Sequence, residues 1–289
     1  MDINQNIVLF FNGERGFSVL KKLNNKFNIK KIILGNKKYY KKTKKINNKV
    51  IVSKNINTKR IKYLLKKINN PIFIIAGFSQ ILRGSILKMP SVALNLHAGK
   101  LPQYRGGSPL NWQIINNEKY FGLSILKLEK GIDTGPVYLQ KKYLLKKKFT
   151  IKDLHKVANI EFPKMINHVL LNINKIKPTK QIKKNSKYWK QRNDLDGKIN
   201  FKSYTGLKII RLSRALQNPY PNVWCLNNDN FKVRFQKLSI TNRKITGLFG
   251  TIKQANNKIY LKCKNKNLVI NKYKIEGTKK KLSDKEILQ

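Results

Sequence analysis

Three polar residues have side chains that suit acyl-group transfer. Two of them are near neighbours in the sequence, and the third lies in a short glycine-bracketed segment. Asn95 and His97 follow the apolar residues 92–94, and on an extended chain two residues at this spacing point to the same side. Asp133 comes later in a glycine-bracketed segment that suits a tight loop presenting its carboxylate inward. A histidine moves protons near neutral pH, a carboxylate orients the imidazole ring, and an amide N–H stabilises an oxyanion. The three residues therefore predict an acyl-transfer site.

His97 also has a purely structural interpretation. A lone histidine at the end of a strand is more often satisfied within the fold than used in chemistry. This chain has three histidines in all, and His97 stands beside Asn95 in a region dense in glycine and proline, which fix and bend the backbone. That context favours a functional role.

Three motifs around these residues form a pattern in a fixed order. They are Asn95-x-His97, then Leu101-Pro102-x-Tyr104-Arg105-Gly106, then Gly131-Ile132-Asp133-Thr134-Gly135. This pattern resembles the 10-formyltetrahydrofolate-dependent formyltransferases, a family that includes enzymes acting on methionyl-tRNA, on amino sugars and on glycinamide ribonucleotide. The resemblance implies that the catalytic residues are Asn95, His97 and Asp133.

The resemblance also implies where the two substrates bind. The formyl donor would be 10-formyltetrahydrofolate, bound in a pocket between two loops. The residues that would line this pocket are Gly77, Phe78, Ile81, Gly131, Ile132, Thr134 and Gly135. Phe78 and Ile81 are equally well read as core residues. The acceptor would lie near Gly13, Tyr104 and Arg105, although Arg105 could instead tie the proline-rich loop to the sheet. No metal site is expected, because the few histidines and cysteines are scattered.

A parallel sheet is needed to bring these residues together. Short, continuous apolar runs at 7–11, 32–34, 50–52, 72–76 and 92–96 are typical of buried parallel strands. Segments with apolar residues at helical spacing lie between several of these runs, and this alternation predicts a Rossmann-like α/β fold. Ligands in such sheets collect at the carboxyl ends of the strands, where Gly13, Gly77 and Asn95 lie.

Several connecting segments carry their own predictions. Residues 109–116 and 151–173 are expected to form helices, the first beginning at a proline. The Lys/Asn-rich residues 37–48 are expected to form a solvated loop. Residues 78–82 are expected to open a turn and a helix.

The pattern changes beyond a Lys/Asn-rich stretch at 174–187, which reads as a linker. A helix around 209–216 is followed by short apolar runs at 231–238, 250–252, 259–263 and 268–273, which predict a small β-barrel or open β-domain. Asp196-Gly197-Lys198-Ile199 and Arg214-Ala215-Leu216-x-x-Pro219-Tyr220-Pro221 resemble the family's second domain.

The predicted organisation therefore has three parts. Residues 1–175 form a Rossmann-like formyltransferase catalytic domain, 176–192 a linker and 193–289 a small OB-like, β-rich C-terminal domain. The fold class is α/β with that β-rich addition.

Charge and composition bound the partners and the compartment. The 289 residues carry a formal net charge of +50, from 63 Lys and Arg against 13 Asp and Glu, which would attract RNA. Lysine is, however, accompanied throughout by asparagine and isoleucine, which share A/T-rich codons, so genome composition explains the charge equally well. Two cysteines, no secretory signal and no apolar run of about 18–20 residues favour a cytoplasmic protein without a membrane span.

Two acceptors remain open at this point. The run of residues 108–112 and the Pro219-Tyr220-Pro221 motif look more like enzymes that formylate a nucleotide-linked amino sugar, and they slightly favour that acceptor. The basic surface and the two-domain layout fit methionyl-tRNA. A non-catalytic RNA-binding protein and a hydrolase that uses water as acceptor are further alternatives, and the intact Asn95, His97 and Asp133 argue against the first of these.

Overall fold

The computed structural model describes residues 5–289, which form two compact units. The first unit comprises the chain through Pro109, with Tyr120–Leu144 and His155–Trp189. The second comprises Leu110–Lys119, Leu145–Leu154 and Lys190–Gln289. The domain boundaries predicted at 175 and 193 stay a prediction.

The chain alternates strands and helices in its first part and is mostly strand in its last part. The helices are α1 (Glu14–Leu23), α2 (Tyr40–Ile46), α3 (Lys59–Lys66), α4 (Pro109–Ile115), α5 (Ile151–Leu171) and α6 (Gly206–Ala215). The strands are β1 (Asn6–Phe11), β2 (Asn28–Leu34), β3 (Val50–Val52), β4 (Ile72–Ala76), β5 (Val92–His97), β6 (Arg105–Gly106), β7 (Tyr120–Lys127), β8 (Val137–Leu144), β9 (Tyr188–Trp189), β10 (Val223–Leu226), β11 (Lys232–Thr241), β12 (Ile252–Ala255), β13 (Lys258–Leu261) and β14 (Asn267–Ile275).

The first unit is built on a seven-stranded sheet with the order β3-β2-β1-β4-β5-β7-β8. Strands β3 to β5 in this order run parallel, whereas β7 and β8 pair antiparallel at one side. All five residues of β4 are buried, as are residues 7–11 of β1. Continuous apolar runs form these strands because helices cover both faces of a parallel sheet. The Rossmann-like prediction is confirmed.

The strand order reverses between β1 and β4, which creates a crevice at the carboxyl edge of the sheet. Phe11 pairs with Ala76, and Ile75 pairs with Asn95, so the ends of β1, β4 and β5 lie at one level. The segments that follow β1 and β4 therefore leave the sheet beside the end of β5. This register places Gly13, Gly77 and Asn95 along one edge.

Two local predictions are wrong. Residues 37–48 are not simply a loop, because they contain α2, whose Thr43 is buried. Residues 78–82 form no α-helix, and the segment stays irregular up to a short 3-10 turn at Gly84–Ile86. The side chain of Gln80 explains the second difference: it donates to the Ser53 carbonyl oxygen (2.8 Å) and accepts the N–H of Ile56 (2.7 Å). These bonds hold the segment against its neighbour and compete with helix formation.

The second unit contains a five-stranded antiparallel sheet with the order β10-β11-β14-β13-β12. Helix α6 is capped by Thr205, whose side chain accepts the N–H of Lys208. Its buried residues pack in one cluster with the inner faces of the strands, including Phe235 and Cys225. This unit confirms the β-rich C-terminal part of the predicted fold class. Strand β10 was not predicted.

The segment predicted as a linker is bound to the first unit along much of its length. Thr179 and Val137 exchange two backbone hydrogen bonds (2.8 and 2.9 Å), and β9 pairs in parallel with β6. We call residues 179–189 the strap. Within the described part of the chain, no helix is long and apolar enough to cross a bilayer.

Candidate active site

The structure brings the three candidate catalytic side chains into contact. Asn95 and His97 lie at the carboxyl end of β5 and face the same carboxylate. Asn95 Nδ2 donates to Asp133 Oδ1 (3.0 Å), and His97 Nδ1 lies 3.3 Å from Asp133 Oδ2. The Gly106 N–H also donates to Oδ2 (2.9 Å). The two-residue spacing on the strand thus produces the expected common direction.

The loop that carries Asp133 joins β7 to β8, and it presents the carboxylate inward as predicted. Asp133 is 9% exposed and has a left-handed backbone with φ of +52°. Gly135 is required beside it, because a Cβ there would overlap the carbonyl of Lys127. Gly131, Ile132 and Thr134 are exposed, and Ile132 leaves 55% of its surface open to solvent.

His97 is held between two oxygen acceptors. Its side chain is 6% exposed, with Nε2 at 2.5 Å from the Tyr104 carbonyl oxygen and Nδ1 toward Asp133. Both ring nitrogens therefore face an oxygen, and in the neutral imidazole one nitrogen donates a hydrogen bond while the other keeps a lone pair that can accept a proton. A side chain at Gly99 would collide with His97 Nε2 and with the Tyr104 carbonyl, which explains the glycine in this motif.

Two residues that the sequence reasoning missed support the loop behind His97. The Ser124 hydroxyl lies 2.7 Å from the Gly99 carbonyl oxygen and 2.9 Å from Gln140 Oε1. Gln140 Oε1 also accepts the N–H of Leu101 (2.6 Å). The available signal was a single serine inside the apolar strand β7, where a buried hydroxyl needs a partner.

The predicted acceptor residues Tyr104 and Arg105 are engaged within the first unit. The buried ring of Tyr104 stacks on Trp189 of the strap, with centroids 5.6 Å apart. Arg105 Nε and Nη2 both donate to Gln181 Oε1 (3.0 and 2.9 Å). Sequence reasoning missed Gln181, since nothing in a Lys/Asn-rich stretch distinguishes it. An acceptor role for Tyr104 and Arg105 stays a prediction.

The predicted donor segment after β4 is partly anchored and partly open. Gly77 is exposed and has a left-handed φ of +70°, which favours glycine. Phe78 is half-buried and packs edge-to-face against Phe10, with centroids 5.7 Å apart. Ile81 is 62% exposed. The segment therefore offers one exposed apolar side chain, as the loop of Ile132 does, and its role in donor binding stays a prediction.

A cationic side chain lies at the same edge. Gly13 caps the start of α1, and two residues later the guanidinium of Arg15 lies over the ring of Phe162, 5.1 Å from its centroid. Arg15 Nη1 also stands beside Gly77. Burial and, secondarily, the charge of Arg15 lower the pKa of His155 to about 4, so this histidine is neutral at pH 7.

The described residues contain no group of three or more His, Cys, Asp or Glu that could hold a metal ion.

Comparisons with known proteins agree with the sequence pattern. A family model described as formyl transferase matches residues 17–170, and a second, described as formyl transferase, C-terminal domain, matches residues 193–289. A methionyl-tRNA formyltransferase of Malacoplasma penetrans is 30% identical over 253 residues, which cover 79% of this chain and 74% of that protein.

Solved structures show the same fold. WlaRD, a sugar 3N-formyl transferase, superposes with a TM-score of 0.71 at 21% identity and covers 95% of this chain and 98% of its own. The methionyl-tRNA formyltransferase of Clostridium thermocellum has a TM-score of 0.62 at 22% identity, with coverages of 84% and 96%.

Proposed function

The chain belongs to the formyl transferase family, and on that premise we propose that it transfers the formyl group of 10-formyltetrahydrofolate to the amine of methionyl-tRNA. The observation that supports the chemistry is the Asp133 carboxylate, which joins Asn95 and His97 at the carboxyl edge of the sheet. An amide donor and an imidazole that both contact one carboxylate are groups suited to acyl transfer to an amine.

The proposed reaction breaks one bond to the formyl carbon and forms another. The neutral amine attacks that carbon, and a tetrahedral intermediate with an oxyanion results. The bond to the folate nitrogen then breaks, and that nitrogen receives a proton as the formylated amine leaves. Atoms balance without a further reagent.

Asn95 is the residue that we assign to the oxyanion. Its amide nitrogen carries two hydrogens, one of which is donated to Asp133. The second can be donated to the oxygen that becomes negative. Since the carboxylate fixes the amide in place, the donor is preorganised before the charge develops.

His97 is the residue that we assign to proton transfer. Its Nε2 faces the Tyr104 carbonyl, so the incoming amine would take that contact when it delivers its proton. Asp133, 3.3 Å from Nδ1, keeps the ring in one orientation. The proton then passes to the folate nitrogen.

We assign the folate donor to the two predicted loops, because each of them carries an exposed apolar side chain. Ile81 and Ile132 expose 62% and 55% of their surfaces, more than isolated core residues would. Isoleucines of this kind can cover the flat faces of a pterin ring, while Gly77 and Gly131 let backbone approach its edge.

We place methionyl-tRNA first among the two acceptors that the sequence left open, and the curated relatives support this choice. Methionyl-tRNA formyltransferases of Malacoplasma penetrans and Clostridium acetobutylicum are 30% and 31% identical over 79% and 74% of this chain. The solved structures of the two kinds of enzyme, at 22% and 21% identity, do not favour either acceptor. Residues 193–289 carry 21 Lys and Arg against six Asp and Glu, which suits contact with an RNA backbone. The charge is spread over the rest of the chain as well, so it supports tRNA without singling out one surface.

A nucleotide-linked amino sugar is the second candidate acceptor. The motif at residues 108–112 and Pro219-Tyr220-Pro221 favour it, and so does the likeness to WlaRD over nearly the whole of both chains. The folate donor and the proposed catalytic residues are the same in both cases.

The test is a turnover assay with 10-formyltetrahydrofolate and each acceptor in turn. We expect formylmethionyl-tRNA to form, with uncharged tRNA as the control that lacks the amine. Formylation of a nucleotide-linked amino sugar alone would establish the second candidate. Free formate without a formylated amine would indicate a hydrolase, and RNA binding without transfer would indicate a binding protein; either would contradict the proposal.

A further inference from the structure

Gln181 of the strap uses every hydrogen-bonding position of its side-chain amide. Its Nε2 donates to the carbonyl oxygens of Asp133 (2.8 Å) and Gly135 (2.7 Å). Its Oε1 accepts two hydrogen bonds from the guanidinium of Arg105. An amide offers two hydrogens and two lone pairs, and all four are occupied here. Such a residue has one orientation, unlike the exposed lysines around it.

The two carbonyls that Gln181 binds belong to the loop that presents the Asp133 carboxylate. Asp133 has a left-handed backbone, which is unfavourable for a residue other than glycine and persists only when surrounding contacts impose it. The Gly106 N–H holds the carboxylate itself, and Gln181 holds the main chain on both sides of Thr134. Together these bonds determine where the carboxylate stands relative to Asn95 and His97.

Arg105 connects the two sets of hydrogen bonds, the one from Gly106 to the carboxylate and the one from Gln181 to the loop carbonyls. It precedes Gly106, which donates to the Asp133 carboxylate, while its own side chain donates to Gln181. The Asp133 loop is therefore linked to the 105–106 segment by two routes, one through the carboxylate and one through Gln181.

The strap itself is fastened close to Gln181 on both sides. Thr179 pairs with Val137 before it, and after it the Lys187 N–H donates to the Pro102 carbonyl (3.1 Å). Trp189 Nε1 donates to the Gln103 carbonyl (2.9 Å). Gln181 thus reaches the Asp133 loop from a segment whose backbone is already bound to the same unit.

We propose that Gln181 is a positioning residue for formyl transfer: it acts through the backbone of the Asp133 loop and touches neither substrate. This inference rests on the proposed function. A small displacement of a catalytic group, on the order of 1 Å, can cost about 100-fold in rate, so loss of the two carbonyl contacts should lower kcat. Binding of donor and acceptor should change little.

Two substitutions separate the carbonyl contacts from the contact with Arg105. Gln181→Ala removes all four hydrogen bonds. Gln181→Glu keeps two acceptor oxygens, so it can still bind Arg105, but it has no hydrogen to donate to the carbonyls of Asp133 and Gly135. Ser186→Ala is the matched control, because Ser186 bonds within the strap to the Lys183 carbonyl.

We expect kcat to fall about 10- to 100-fold in both Gln181 variants, with KM for the donor and the acceptor within about twofold of wild type. Ser186→Ala should have wild-type kcat, and thermal unfolding should show all variants folded at the assay temperature. Wild-type kcat in Gln181→Glu would overturn the inference, since it would leave only the Arg105 contact with a role. A kcat loss matched by an equal loss of folded protein would overturn it as well.

Amide hydrogen exchange of residues 131–135 gives a readout that does not depend on turnover. Exchange should be faster than wild type in both Gln181 variants and unchanged in Ser186→Ala. Unchanged exchange in Gln181→Ala would overturn the inference whatever the activity. Failure of the proposed function is visible separately, because it appears as an inactive wild-type protein.

Discussion

Two asparagines of this chain, one in each unit, donate the same kind of hydrogen bond but have different roles. Asn95 in the first unit is half-buried, and its amide donates to the carboxylate of Asp133. Asn111 in the second unit is 1% exposed, and its amide donates to the carbonyl oxygen of Ala215 (2.7 Å) at the end of α6. The group that accepts the hydrogen bond decides the role of each asparagine. Asp133 is a carboxylate beside His97, so Asn95 is held where charge develops during a reaction. A helix-terminal carbonyl needs only a donor.

The largest effect is expected at Asn95. Asn95→Ala should lower kcat about 100- to 1,000-fold, roughly 3–4 kcal/mol of activation free energy, because the oxyanion loses a preorganised donor. Steady-state kinetics with the best acceptor measures this loss, and thermal unfolding should show little change. Near wild-type turnover would contradict the role that we assign to Asn95.

Acid should affect the first unit before the second. The His155 pKa is about 4 in the fold, lowered by burial and by Arg15, against an ordinary value of 6.5. The unfolded chain binds this proton more readily, so the stability that neutral His155 represents is complete above pH 6.5 and is lost as the pH falls toward 4. The loss amounts to at most about 3 kcal/mol.

Asp194 of the second unit responds in a lower window. Hydrogen bonds from Arg234 and then Lys232 hold its pKa at about 2, against an ordinary 3.8, so its contribution is complete above pH 3.8 and lost toward pH 2. The protection factors for hydrogen exchange, which correct for the intrinsic pH dependence, should therefore be lower at pH 5 than at pH 7 around α5 and unchanged in β11. His155→Gln should remove that difference, and equal protection of both elements in wild type at every pH would contradict it.

The smallest effect is expected at Asn111. Asn111→Ala leaves the Ala215 carbonyl without this donor, and we expect a loss of about 1–3 kcal/mol in the free energy of unfolding with kcat unchanged. Denaturant unfolding measures the loss. If Asn111→Ala reduced kcat as strongly as Asn95→Ala, the contrast between the two asparagines would be wrong.

The sequence alone determined the sheet and the three candidate catalytic residues. Strands β1 and β4 are continuous apolar runs, so local composition is enough to predict that both of their faces are buried. Asn95 and His97 share a direction because of strand geometry, and the glycine beside Asp133 marks the tight loop. Each of these features is encoded within a few neighbouring residues.

Only the tertiary structure decided which residues support the site. Gln181 meets the Asp133 loop across 48 positions of sequence, and Gln140 meets Leu101 across 39. The same is true of Gln80, whose bonds to a neighbouring segment replace the helix predicted at 78–82. The residues next to a polar side chain in the sequence do not identify its distant hydrogen-bond partner. The distance between donor and acceptor is set by the folded backbone.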